Sequence, residues 1–97
     1  MLKIKKILFN HAFDCDILIK TNMLDLKYFK RLGWNFNQFK SQILKEINYG
    51  LGVFNDHTLE GFLLGNLITV EKITEYEILL IYVNSQKRKL GYATKLL

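Results

Sequence analysis

A mixed α/β fold, with helices laid on a β-sheet, is predicted by three observations. The order of elements reads strand, two helices, three strands and a helix start. The hydrophobic period changes at Tyr49 from helical spacing to alternation. An apolar run, Tyr76 to Val83, passes into a basic turn and a glycine before helical spacing resumes.

Residues 2–9 alternate loosely and end in Ile7-Leu8-Phe9, which predicts an edge strand. Residues 11–31 carry Ile17, Leu18, Leu24, Phe29 and Leu32 as an imperfect helical stripe, with Asp14 or Asn10 as the cap. Gly33 ends that pattern. Asn35 then has the chemistry of an N-cap, followed by Phe36, Phe39, Ile43, Leu44 and Ile47 at spacings of three and four. Lys40 and Lys45 fall on the wet face of this amphipathic helix. Residues 49–54 and 59–70 read as strands joined by the turn Asn55-Asp56-His57. A charged loop from Glu71 to Glu75 leads to a strand over 76–83, apolar on both faces and therefore expected in the sheet centre. The absence of proline suggests few sharp corners.

The 97 residues give room for one small domain. A hydrophobic fraction of 49% with 13% aromatics excludes a disordered tail. The net charge of +5 fits an anionic partner such as nucleic acid, membrane or a phosphorylated cofactor. However, the positive charge is almost all Lys in a chain rich in Asn and Ile, as codon bias alone produces. One cysteine and two separated histidines leave no metal site of ordinary spacing, so no metal is expected. No apolar stretch reaches the ~18 residues of a membrane helix, and the N-terminal apolar run is too short for a signal peptide. The reading is cytoplasmic.

Chemistry concentrates after Ile78. A helix N-terminus offers unpaired N–H groups to a phosphate. Gly91 lets backbone approach an anion, Ala93 is nearly as small, and Lys87, Arg88 and Lys89 add charge. Neither a Walker pattern nor GxGxxG is present. A single glycine after a strand equally describes a solvated basic turn.

The longer string is more specific. Arg88-Lys89-Leu90-Gly91-Tyr92-Ala93 fits Arg/Gln-x-x-Gly-x-Gly/Ala, and Glu77-Ile78-Leu79-Leu80-Ile81-Tyr82-Val83 precedes it. This resembles the acetyl-CoA signature of the GCN5-related N-acetyltransferases, and within them the bacterial ribosomal-protein-alanine N-acetyltransferases. Gly33-Trp34-Asn35-Phe36 and Phe39 resemble the start of that family's second helix. The resemblance covers the whole chain but only the first two-thirds of the family's domain.

The resemblance implies a single, incomplete N-acetyltransferase domain over residues 1–97, ending after the start of the cofactor-binding helix. It implies that backbone groups of Ile81, Tyr82 and Val83 pair with the thioester carbonyl and pantetheine arm of acetyl-CoA. The turn Lys89, Leu90, Gly91, Tyr92, Ala93 and Thr94 would cradle the pyrophosphate, with Lys87 and Arg88 supplying supporting charge. The acceptor would be a protein N-terminal α-amine, of a ribosomal protein if the nearest resemblance holds. Ser85 stands where the family keeps a proline, and the family's usual base and acid lie beyond Leu97. Glu77 is the candidate general base; the plainer alternative is a solvated strand end.

Cys15, between Asp14 and Asp16, has neighbours that raise a thiol pKa, so it reads as a packing residue. His57 reads as a solvated turn residue. Phe36, Phe39, Tyr49 and Phe54 read as core, and Trp34 as an acceptor-groove residue or a lid on the core. Two other classes stand beside the enzyme: a non-catalytic module binding CoA or a partner, and a small basic RNA-binding domain. The latter lacks an RNP-type strand motif, so no direct nucleic-acid contact is expected. An uncovered edge of the 76–83 strand would favour a homodimer or a complementing fragment.

Overall fold

A computed structural model describes residues 2–20, 23–84, 91, 96 and 97. The elements are β1 (Leu2–Lys6), a 3-10 turn (Phe9–His11), α1 (Ala12–Lys20), α2 (Met23–Arg31), α3 (Phe36–Leu44), β2 (Leu51–Asn55), β3 (Thr58–Val70) and β4 (Ile73–Val83). The four strands form an antiparallel sheet in the order β1-β2-β3-β4.

Alternation along the strands sends side chains to two faces. Phe54, Phe62, Leu64, Leu80 and Tyr82 meet Cys15, Leu18, Ile19, Phe29 and Phe39 from the helices. Val53, Leu63 and Val83 point to the opposite face, where Leu96 packs on them. The helical conformation of Leu96 agrees with the expected helix start, and Gly91 before it lies in a turn at φ +77°. The rest of that expected helix lies outside the described residues.

Several expectations change. The 11–31 helix is found as Ala12–Lys20 and Met23–Arg31, with Ile17 and Leu32 exposed and Ala12, Cys15 and Ile19 buried instead. Neither Asp14 nor Asn10 caps α1, because the 3-10 turn runs directly into it. That turn is closed by the Leu8 N–H donating to His11 Nδ1 at 2.8 Å. Gly33 ends α2 as expected, and its geometry explains why. At φ +85° its N–H reaches the Lys30 carbonyl while the Trp34 N–H reaches that of Phe29, the paired bonds of a left-handed helix stop. Asn35 caps α3 as read, its Oδ1 accepting the Gln38 N–H at 3.0 Å. On α3, Phe39 is buried and Phe36 and Ile43 are half-buried, but Leu44 is exposed and Gln42 is buried instead; the helix ends at Leu44, so Ile47 lies in the following turn, exposed. Lys40 lies over the Phe36 ring, 4.6 Å from its centre.

The corners are sharper than the absence of proline suggested. Asp56-His57 and Glu71-Lys72 are two-residue turns closing hairpins. Glu71 and Lys72 both have positive φ, 52° and 71°, as a type I′ turn requires. The expected loop to Glu75 is therefore only two residues, and β4 starts at Ile73. The long β3–β4 ladder holds non-glycine residues in a conformation each disfavours by roughly 1–2 kcal/mol.

β4 is not central. Among the described residues it pairs only with β3, and Ile78, Leu79 and Ile81 are exposed. Its apolar character on both faces is used only towards its C-terminal end. There Leu80 and Tyr82 face the helices and Val83 faces Leu96.

Candidate functional site

The register of β3 on β4 shifts once. Leu64 pairs with Leu80 but Gly65 pairs with Ile78, so Leu79 is an extra residue on β4. Such a bulge bends and twists the strand and re-aims its side chains. Leu80 and Tyr82 face the helices, and in a regular strand Ile78 would join them. The inserted Leu79 instead turns Glu77 to the helix side, opposite Asn66, and sends Tyr76 and Ile78 to the other face.

Gly65 lies across from the bulge. A Cβ there would meet the Tyr76 ring at 2.6 Å and the Glu77 carbonyl, so only glycine leaves β4 room to bend in.

Above the bulge, the Asn84 N–H donates to the Glu60 carbonyl at 2.8 Å. Bonded and non-bonded pairs alternate along an antiparallel ladder. The backbone of Tyr82 therefore faces β3, while that of Ile81 faces the outer side of the strand. Of the three residues expected to pair with a cofactor arm, Tyr82 thus has its backbone groups turned to β3. Gly91 has a φ of +77°, a backbone conformation that glycine adopts without steric cost. Lys87, Arg88, Lys89, Leu90, Tyr92, Ala93 and Thr94 lie outside the described residues.

Glu77 is exposed at its strand position yet held on one side. Asn66 Nδ2 donates to its Oε1 at 3.3 Å. Asn66 Oδ1 in turn accepts from Gln42 Nε2 of α3 at 2.7 Å, and the same Nε2 meets Asn48 Oδ1 at 3.0 Å. Sequence reading passed over Gln42 and Asn66. The available signal was a pair of amides on the inward faces of an amphipathic helix and an apolar strand. Tyr76, on the far side of the bulge, donates its hydroxyl to the Tyr49 carbonyl. Burial and then the neighbouring Tyr49 push its pKa up.

Other candidates resolve as packing. Cys15 is wholly buried, and burial, Asp14 and Asp16 push its thiol pKa up. Trp34 stacks on Phe39 with ring centres 5.3 Å apart and closes the core. Phe39 and Phe54 are core and Phe36 packs against it, whereas Tyr49 is exposed because its backbone bridges to Gly65 at the sheet margin. His57 is exposed in its turn. Among the described residues no group of three or more His, Cys, Asp or Glu is placed to hold a metal ion. No helix among them is long and apolar enough to cross a membrane.

No family model and no curated protein matches the sequence. Solved structures do match. A ribosomal-protein-alanine N-acetyltransferase from Brucella melitensis biovar Abortus superposes with a TM-score of 0.76 at 18% identity, over 99% of this chain and 66% of its own. The PaiA N-acetyltransferase of Thermoplasma acidophilum, solved with coenzyme A, gives 0.77 at 15% identity, over 99% of this chain and 67% of its own. An aminoglycoside acetyltransferase from a soil metagenome, in complex with sisomicin, gives 0.71 at 15% identity, over 98% and 64%. This chain thus has the fold of the GCN5-related N-acetyltransferases, and it spans about two-thirds of the length of the structures it matches.

Proposed function

We propose that this chain provides the acyl-CoA platform of an N-acetyltransferase acting in the cytoplasm. It transfers acetyl from acetyl-CoA to the N-terminal α-amine of a protein, and a ribosomal protein is the acceptor the sequence favours. The observation that carries this reading is the bulged strand β4, followed in the sequence by the positive-φ Gly91, in a fold shared with acetyltransferases of which one holds coenzyme A.

Acetyl-CoA, when bound, supplies the acetyl group as an activated thioester. The backbone N–H and C=O of Ile81 pair with the pantetheine arm, which fixes the acetyl carbon for the amine. The Ile81 N–H stabilises negative charge developing on the carbonyl oxygen. The turn Lys89, Leu90, Gly91, Tyr92, Ala93, Thr94 receives the pyrophosphate through its N–H groups, and Arg88 adds charge. Glu77 stands two residues before the bulge, about 7 Å along the strand at ~3.3 Å per residue. It accepts the proton that the amine nitrogen loses as the C–N bond forms and the C–S bond breaks. Residues 1–97 act as one domain, and the exposed edge of β4 pairs with a second copy or a complementing fragment.

The test is the thermal unfolding midpoint with added acetyl-CoA. At about a hundredfold over its dissociation constant a ligand bound only to the folded state adds roughly 2.7 kcal/mol. For a domain this small, that is a rise of about 10 °C or more. Gly91→Val is expected to abolish the rise, because a branched side chain resists positive φ and blocks the approach of phosphate. A folded wild type whose midpoint does not move overturns the reading.

A further inference from the structure

Gln42 and Asn66 are the buried amides among the described residues, with 4% and 7% of their surfaces exposed; apart from Asp16 and Glu60, the other buried side chains there are apolar. Burying two amides is unfavourable unless their hydrogen bonds are made. Here they are made in a directed line: Asn48 and Asn66 each accept from Gln42 Nε2, and Asn66 then donates outwards to Glu77 Oε1. No buried side-chain nitrogen or oxygen among the described residues lacks a partner. The line begins on α3, crosses β3 and ends on Glu77, a carboxylate that the β4 bulge turns to the helix side.

An isolated surface glutamate samples several rotamers. One whose oxygen accepts from a donor that is itself locked from behind is restricted to fewer. The Asn66 amide cannot rotate by half a turn, because that would set its nitrogen against the Gln42 nitrogen and its oxygen against the carboxylate. Gln42 therefore fixes which end of Asn66 faces Glu77.

We propose that Asn66 and Gln42 are positioning residues for Glu77, holding its carboxylate beside the bulge where the acceptor amine is deprotonated. This inference rests on the proposed role of Glu77. It adds that a structural amide pair tunes the rate through that carboxylate without touching cofactor or acceptor.

The experiment measures acetyl transfer from acetyl-CoA to a synthetic alanine-initiated peptide for wild type, Glu77→Gln, Asn66→Asp and the double variant. Asn66→Asp keeps an acceptor for Gln42 but removes the donor to Glu77. It is expected to lower kcat roughly tenfold to a hundredfold, as small misplacements of catalytic groups do, with the KM for acetyl-CoA unchanged. Glu77→Gln lowers kcat by about a hundredfold or more. In the Glu77→Gln background, Asn66→Asp should cost nothing further, which is the sign of two residues acting as one unit. Should Asn66→Asp fail to show a cooperative thermal transition, Gln42→Met removes the lock from the α3 end and carries the same expectation.

An inactive wild type overturns the proposed function itself. An active Glu77→Gln overturns the role of the carboxylate and the positioning with it. A slow Glu77→Gln beside a fully active Asn66→Asp overturns the positioning alone. Equal losses in both backgrounds would make the amides structural and overturn it as well.

Discussion

Cys15 illustrates how a single side chain reads differently alone and in place. Its flanking aspartates already argued against a reactive thiolate, and the fold adds complete burial. Burial comes first among the causes that push its pKa up, followed by Asp14 and Asp16. The sign of the resulting pH dependence follows. The folded state keeps the thiol neutral, whereas in the unfolded chain it ionises above its ordinary value of about 8.5. Stability is therefore complete below that pH and is lost as pH rises through it, with a limiting slope of about 1.4 kcal/mol per unit. Tyr76 adds a shallower loss of the same sign above about pH 10, weakened by its partial exposure. Denaturant titrations between pH 7 and 11 should show this decline, and Cys15→Ala should flatten it near pH 9. An unchanged slope in the variant would assign the decline elsewhere. A thiol reagent should leave the native chain unmodified and label it once unfolded.

At the scale of elements, α3 is the best-specified part of the sequence. Its cap, its Phe39 anchor and its helical spacing agree with one another, and that consistency is what makes a segment legible. Asn35→Ala should destabilise the chain by about 1 kcal/mol through loss of the bond from the Gln38 N–H. Phe39→Ala should cost about 3–5 kcal/mol, because its ring contacts both Trp34 and Phe62. Chemical denaturation checks both, and a Phe39→Ala loss no larger than that of Asn35→Ala would contradict the packing described. The hairpin elements were less legible. Glu71-Lys72 carries no turn residue in the ordinary sense, so the strand on its far side was placed three residues too late. The long ladder outweighs local preference at those two positions, and local preference is all that a turn signal reports.

For the whole molecule, the open edge of β4 dominates. Ile78 and Ile81 are 50% and 36% exposed on β4, which among the described residues pairs with β3 on one side only. On the face opposite α1–α3, Tyr49, Leu63, Leu67, Tyr76, Ile78 and Leu96 line an apolar groove of about 280 Å³. Unpaired edges of this kind template association. Sedimentation of the wild type should therefore report dimers or larger species at high concentration. Ile78→Lys, which sets a charge beside that edge, should shift the population to monomer. A wild type that stays monomeric throughout would contradict the expectation. The same edge is where the proposed cofactor arm lies, so saturating acetyl-CoA should also reduce association.

Much of this protein was determined by the sequence alone. The α/β order, the cap at Asn35, the stop at Gly33 and the likeness around Glu77 to Ala93 are local matters, written in side-chain chemistry and spacing over a few residues. Tertiary structure decided the rest. Whether β4 is central or marginal depends on what pairs with it, and an apolar strand has the same composition in either place. The bulge at Leu79 arises because β4 must bend past Gly65, and a run of Ile and Leu shows no sign of where the extra residue falls. That one residue flips the parity of the strand. It alone puts Glu77 on the face where Asn66 and Gln42, eleven and thirty-five positions earlier, reach it. Side-chain direction on a strand is a property of register, and register is set between strands.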